Sequence, residues 1–145
     1  GTLTLPTTTG TVALTSDITV TASSTTTLTN KTLTAPVINL AFNAQTGTTY
    51  TAVKPDGLNA IVTMDNASAN TFRIPTDATY NFPIGTTLVV YQKGAGITTI
   101  NAVTSGTTTI VSAGAVSAAP VLAQFKSAAC VKIAANSWIV VGAIA

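Results

Sequence analysis

The sequence predicts an all-β protein: an antiparallel β-sandwich, jelly-roll-like in character, preceded by an extended threonine-rich N-terminal arm. Three observations carry this expectation. From about Gly47 onward, short apolar runs alternate with Gly, Pro, Asn and Asp turn signals, the pattern of many short strands. No stretch repeats its apolar residues with the helical period. Finally, 31 of the 145 residues are threonine, none of them beyond Thr109. Threonine is β-branched and fits a pleated surface while its hydroxyl faces water.

Residues 1–45 form one compositional zone. Thr7-Thr8-Thr9 and Thr25-Thr26-Thr27 are low-complexity runs, and Leu3, Leu5, Val12, Leu14, Ile18, Val20, Leu28 and Leu33 stand singly between polar residues. Thr2-Leu3-Thr4-Leu5 and Asp17-Ile18-Thr19-Val20 alternate with period two, which argues for extended chain. Nothing in this zone is apolar enough to make its own core, so it reads as an arm that lies against something else. Residues 46–145 read as the sandwich. Strands are expected near 49–53, 60–64, 71–74, 87–92, 98–103, 108–111, 121–126, 129–134 and 137–144. The punctuation between them is Pro55-Asp56-Gly57, Asp65-Asn66, Pro75-Thr76-Asp77, Phe82-Pro83-Ile84-Gly85, Gly94-Ala95-Gly96, Ser105-Gly106 and Asn136. The alanine-rich stretch 113–119 is a poor helix because Gly114, Val116 and Pro120 interrupt it.

Leu88-Val89-Val90-Tyr91 and Trp138-Ile139-Val140-Val141 are apolar on both faces, whereas a sandwich strand with one wet face should alternate. The outer face is therefore expected to be covered, by the arm or by a neighbouring subunit. Charge points the same way. Only 7% of residues are charged, with a formal net charge of +2, and a surface of Thr, Ser and Asn is polar but nearly uncharged. A free monomer normally relies on charge for solubility.

Composition also excludes function classes. With no histidine and one cysteine, Cys130, the Ser-His-Asp and Cys-His systems and most zinc sites are impossible. One cysteine allows no internal disulfide. Lys31, Lys54, Arg73, Lys93, Lys126 and Lys132 are scattered, whereas nucleic-acid binding needs several phosphates neutralised together, so no nucleic-acid partner is expected. The uncharged stretch 94–125 is broken by Thr, Ser, Asn, Gly and Pro120 and does not read as a membrane span. No signal peptide is recognisable, and the opening Gly1 marks a processed, trimmed or partial chain.

Few groups remain as candidates. Asp17, Asp56, Asp65 and Asp77 are the only acids, and the spacing of a dedicated calcium loop is absent. Asp56, Asp65 and Asp77 sit beside Gly, Asn or Pro and read as turn caps. A carboxylate pair acting on a sugar would need a cleft with sugar-binding groups, which one Trp, one Arg and no Glu do not promise. Gly94-Ala95-Gly96 lacks the glycines and helix of a phosphate loop and reads as a hairpin turn. Tyr50, Tyr80, Tyr91, Phe82 and Trp138 are the aromatics available for stacking on a glycan, although within strands they are ordinarily core. Asn30-Lys31-Thr32 and Asn66-Ala67-Ser68 fit the glycosylation triplet, and Cys130 reads as a small buried hydrophobe. No catalytic, cofactor-binding or metal-binding residue is assigned.

The run Thr27-Leu28-Thr29-Asn30-Lys31-Thr32-Leu33-Thr34-Ala35-Pro36 resembles the TLTNKTLTxP signature of tail-fibre and other structural proteins of tailed bacteriophages. Leu3-Thr4-Leu5-Pro6 with Gly10-Thr11-Val12-Ala13-Leu14 is similar to the segments that lead into it. Asp65 to Thr71, Ile74-Pro75, Phe82 to Thr86, Gly94 to Gly96 and Trp138 to Gly142 resemble the β-rich modules of such proteins. The resemblance implies a non-enzymatic, trimeric structural protein on the exterior of the virion, with no catalytic residue carried over. It leaves open a fibre component, a capsid decoration (cement) protein and a fibre tip that binds host surface glycan. The arm, with Leu28, Leu33, Val37 and Ile38 as anchors, is expected to reach other virion proteins of tail, collar or capsid. Ile61, Val89, Ile100, Val121, Ile133, Trp138 and Val140 are expected to supply core and subunit interface.

Overall fold

The structure is a computed structural model that describes residues 35, 37–116 and 118–144. The chain divides into two units, Gly1–Pro36 and Val37–Ala145, and the second contains all the elements below. Its strands are β1 (Ala41–Gln45), β2 (Thr49–Thr51), β3 (Ala60–Met64), β4 (Asn70–Ile74), β5 (Thr87–Gln92), β6 (Thr98–Ala102), β7 (Thr109–Ser112), β8 (Ala115–Val116), β9 (Val121–Leu122), β10 (Ser127–Ala134) and β11 (Ser137–Gly142). One 3-10 turn, Lys54–Gly57, interrupts them. The all-β expectation holds for the described residues.

The pairing is mixed, which corrects the antiparallel, jelly-roll-like expectation. One sheet runs β1-β3-β5-β10-β11-β7-β8 and the other β2-β4-β6-β9. Strands β1, β3 and β5 are parallel to one another, as are β2, β4 and β6. The reason lies in the corners. A strand of the first sheet is followed by a strand of the second, so each return to the first sheet lands beside its predecessor in the same direction. The chain thus makes three successive coils, β1–β2, β3–β4 and β5–β6. Equivalent residues stack in register: Asn43, Val62 and Val90 in the first sheet, Tyr50, Phe72 and Ile100 in the second. The β10–β11 hairpin then closes the first sheet antiparallel to β5 and parallel to β7. Gly94-Ala95-Gly96 is accordingly a corner between sheets and not a hairpin turn.

Strand β1 lies inside the 1–45 zone whose composition reads as an arm, yet it pairs along its full length with β3. Its inward residues are the polar Asn43 and Gln45, so the strand carries no apolar alternation. Val37 and Ile38, expected as arm anchors, are exposed. Leu28 and Leu33 lie outside the described residues.

The two sheets enclose one core. Val62, Met64, Leu88, Val90 and Cys130 enter it from the first sheet, and Phe72, Ile74, Ile100 and Leu122 from the second. Trp138 is fully buried and meets Phe82 edge-on at a centroid distance of 5.7 Å, which favours the ring quadrupoles. Of the expected core residues, Ile100, Trp138 and Val140 are buried. Ile61, Val89 and Val121 are half-buried and Ile133 is exposed.

Two polar assemblies fix this frame. At the β5–β6 corner the buried Gln92 donates from Nε2 to Gly94 O (3.0 Å) and Gly96 O (2.9 Å). Thr98 Oγ1 donates to Asn70 Oδ1 at 2.6 Å and also contacts Gln92 Oε1. A Cβ added at Gly96 would lie 2.1 Å from Ser68 O, and one at Gly94 would lie 2.3 Å from Asn66 N. Successive corners therefore touch through backbone. Elsewhere Lys132, only 2% exposed, sends its Nζ to Asp77 Oδ1 (2.6 Å), Asn81 Oδ1 (3.1 Å) and Phe82 O (2.7 Å). Asp77 Oδ2 accepts from Asn136 N (3.0 Å), and Asn136 Oδ1 accepts from Asp77 N (2.7 Å). This clamp ties the loop between β4 and β5 to the β10–β11 hairpin.

Gly96→Ala is expected to cost roughly 3 kcal/mol, the upper range for overpacking, because backbone must move. Gly106→Ala, which meets nothing within 4 Å, is expected to stay within about 0.5 kcal/mol. Chemical denaturation of both variants checks this. Burial alone would raise the Asp77 carboxyl, but the Lys132 hydrogen bond, the Asn136 N–H and the Lys132 charge outweigh it and hold the pKa below the usual carboxylate value. A depressed folded pKa gives stability that is present above the unfolded pKa, about 3.9, and is lost as pH falls through the folded value. The melting temperature should therefore drop below about pH 4. Asp77→Asn should lower stability at neutral pH, by leaving a buried ammonium without its counter-charge, and flatten the acid limb.

Candidate functional site

The three described acids are engaged in structure. Asp56, 1% exposed, accepts from Asn43 Nδ2 (2.7 Å), Tyr50 Oη (2.7 Å) and Val53 N (2.8 Å), which closes the 3-10 turn. Burial, and then the hydrogen bond and charge of Asp56, push the Tyr50 hydroxyl up to about 12. Asp65 makes an exposed pair with Lys93 at 2.6 Å. That contact raises the Lys93 pKa, first through the hydrogen bond and then through the charge, and as a surface pair it adds little stability. Asp77 belongs to the Lys132 clamp, and Asp17 lies outside the described residues. The three described acids thus sit at three separate places. Among the described residues no group of three His, Cys, Asp or Glu side chains is placed to hold a metal ion.

The aromatics named for glycan stacking are dispersed. Phe82 and Trp138 are core, Tyr50 packs against Phe72 at 6.2 Å, Tyr80 leans on the core cluster, and Tyr91 is half-buried on the outward side of β5. Asn66 of the second glycosylation triplet donates from Nδ2 to Thr46 O (2.6 Å) and accepts from Ser68 N (2.8 Å), a turn-stabilising role. The first triplet, Asn30-Lys31-Thr32, lies outside the described residues. Cys130 is fully buried, and burial pushes its thiol up to about 12, so thiolate chemistry is suppressed.

What the structure does bring together is an apolar surface. Parallel stacking aligns outward-facing residues in rows across the seven-stranded sheet. One row is Phe42, Ile61, Val89, Ala129 and Val141, from β1, β3, β5, β10 and β11. A second is Thr87, Val131, Ile139, Val111 and Val116, from β5, β10, β11, β7 and β8. Phe42 is 71% exposed, Val116 70% and Val141 52%. Among the described residues no charged side chain occupies an outward position in these rows, since Lys132, the one cation on β10, points into the core. The doubly apolar strands foretold such a face. They did not reveal Phe42, whose place in it depends on β1 joining the sheet.

Comparison with protein-family models, with curated proteins and with solved structures finds no match to this chain.

Proposed function

We propose that this chain is a non-enzymatic structural protein of a tailed-bacteriophage particle, a homotrimer on the particle exterior whose N-terminal segment supplies attachment to other virion proteins. The observation that carries the reading is the uncharged, apolar outer face of the seven-stranded sheet. The resemblance of residues 27–36 to the TLTNKTLTxP signature supports the phage context. In this reading the two sheets and their shared core are a sandwich in the broad sense, built by coiling.

The occupant of the face is a second copy of the chain. An identical face brings no charge to be stranded, and apolar area removed from water stabilises the contact by about 25 cal/mol per Å². Seven strands about 4.8 Å apart and about five residues long make a face of roughly 500 Å² in projection, so a half of it gives each of two neighbours about 250 Å², roughly a third of the ~800 Å² that a partner gives a standard interface. Three such faces around a three-fold axis each offer one half to each neighbour, a heterologous contact that closes. Function is then mechanical: the particle's load passes through packed sheet faces, with no substrate turned over.

Light scattering on the intact chain at low and high salt is expected to give three times the 14.5 kDa chain mass at both, because an apolar interface is poorly screened. Introducing Phe42→Asp together with Val141→Asp should reduce the mass to that of a monomer while the β-sheet circular dichroism persists. A wild-type monomer, or an isologous dimer, would overturn the trimer. Removing residues 1–36 should leave cooperative unfolding in place, whereas removing 1–45 deletes β1 and should expose the β3 edge and lower stability. Equal stability of the two truncations would show that β1 contributes nothing to the sheet.

A further inference from the structure

Lys132 is a potential nucleophile held in one place. Its side chain is 1% exposed, and its Nζ lies 3.1 Å from the carboxamide oxygen Oδ1 of Asn81 and 2.6 Å from Asp77 Oδ1. A third hydrogen bond, to Phe82 O at 2.7 Å, fixes the ammonium from another side. A C=O bond is about 1.2 Å long, so the carboxamide carbon of Asn81 lies no more than about 4.3 Å from Nζ. Reacting atoms in a productive pose sit about 3–3.5 Å apart, a gap that rotation of the Asn81 amide closes. Asn81 is an exposed residue, so core packing does not oppose that rotation.

An amine, a carboxamide and a carboxylate are the components of an intramolecular acyl transfer. In water a lysine does not attack a nearby amide, because an ammonium has no lone pair to offer. Three conditions differ here. Burial disfavours separated charges, which lowers the cost of passing a proton from the ammonium to Asp77. Asp77 lies within the hydrogen-bond reach that a general base requires. Proximity replaces a bimolecular encounter, an advantage worth an effective concentration of about 10⁵–10⁸ M when the groups are well oriented. Asp77 is itself oriented by Asn136, whose N donates to Oδ2 at 3.0 Å and whose Oδ1 accepts from Asp77 N at 2.7 Å. Among the described residues Asn81 is the one carboxamide hydrogen-bonded to this ammonium.

We propose that Lys132 and Asn81 form an intramolecular isopeptide bond, with Asp77 as the proton carrier. Asp77 takes one proton from the ammonium, and the freed lone pair of Nζ attacks Cγ of Asn81. The new Nζ–Cγ bond forms, the Cγ–Nδ2 bond breaks, and no atom is oxidised or reduced. Two of the three ammonium protons pass through the carboxylate to the departing nitrogen, which leaves as ammonium, and the third stays as the N–H of the new amide. Asp77 ends as it began. The same three side chains border a cavity of about 350 Å³, which has room for the departing molecule. Burial raises the Asp77 carboxyl, yet the Lys132 hydrogen bond and the Asn136 N–H hold it below its ordinary value, so the first transfer is uphill and the bond forms slowly after folding. The ion pair is the state before reaction, and the acid sensitivity of Asp77 belongs to that state. The product joins the loop between β4 and β5 covalently to β10, 51 positions later in the chain. This chemistry requires only the clamp and does not rest on the virion reading.

The test is the mass of the intact chain, denatured after prolonged incubation of the folded protein at neutral pH. The expected mass is that of the sequence less one ammonia, and proteolysis should release a branched peptide joining the segments around Asn81 and Lys132. Asn81→Ala removes the electrophile at an exposed position and leaves the Lys132–Asp77 pair. It should keep the full sequence mass and unfold cooperatively, at a lower melting temperature than the cross-linked wild type. Asp77→Ala should keep the full mass too, and a bond formed at the wild-type rate in that variant would remove Asp77 from the mechanism. A wild-type chain that retains its full mass, an ammonia loss that persists in Asn81→Ala, or a loss of water in place of ammonia, which would put Asp77 in the bond, would each overturn the proposal.

Discussion

The stacking of one coil corner on the next is the constraint on which the rest of this molecule depends. Gly94 and Gly96 let the third corner settle directly on the backbone of Asn66 and Ser68, where a methyl group would collide. Gln92, Asn70 and Thr98 then satisfy the polar groups that such close approach buries. Once the corners are fixed, the register of three parallel strands in each sheet follows. With register set, Val62 and Val90 stack on one side of the first sheet and Ile61 and Val89 on the other. A slip of one residue would exchange the two sets.

That same register turns a scatter of hydrophobic residues into two faces with different fates. The inward set meets the second sheet and the β10–β11 hairpin, whose Trp138 and Cys130 complete the core. The outward set forms rows that run across five strands without a charge. A protein with so few charged residues places most of them in turns or beside corners, such as Asp65 with Lys93, or spends them inside, as in the Lys132–Asp77 clamp. The clamp is an unusual use of a lysine. All three hydrogen atoms of its ammonium find oxygen acceptors, and the loop it captures carries Phe82 against Trp138. Burial of that charge is tolerable because Asp77 is itself held by Asn136 from the hairpin turn.

The corner network pairs its buried side-chain amides, whereas Asn101 Oδ1, Thr108 Oγ1 and Trp138 Nε1 are buried without hydrogen-bond partners among the described residues. Among the described residues the acids serve structure: Asp56 caps a turn, Asp65 pairs with Lys93 at the surface and Asp77 belongs to the clamp.

Composition and local pattern were enough to determine the all-β class, most strand positions, the turn-capping use of Asp56 and the burial of Trp138 and Cys130. Each of these follows from short-range chemistry: alternation, turn residues and the cost of exposing a large ring. Tertiary structure alone decided that β5 and β6 belong to different sheets, that Gly94-Ala95-Gly96 is a corner, and that β1 belongs to the sheet despite its polar inward residues. The physical reason is that a turn signal marks where a strand ends and not which strand lies beside it. Parallel pairing joins residues far apart in the chain, so Phe42, Ile61 and Val89 carry no mark in the sequence of being neighbours. Lys132 reads as an ordinary surface cation until Asp77, Asn81 and Phe82, about fifty residues earlier, are folded around it.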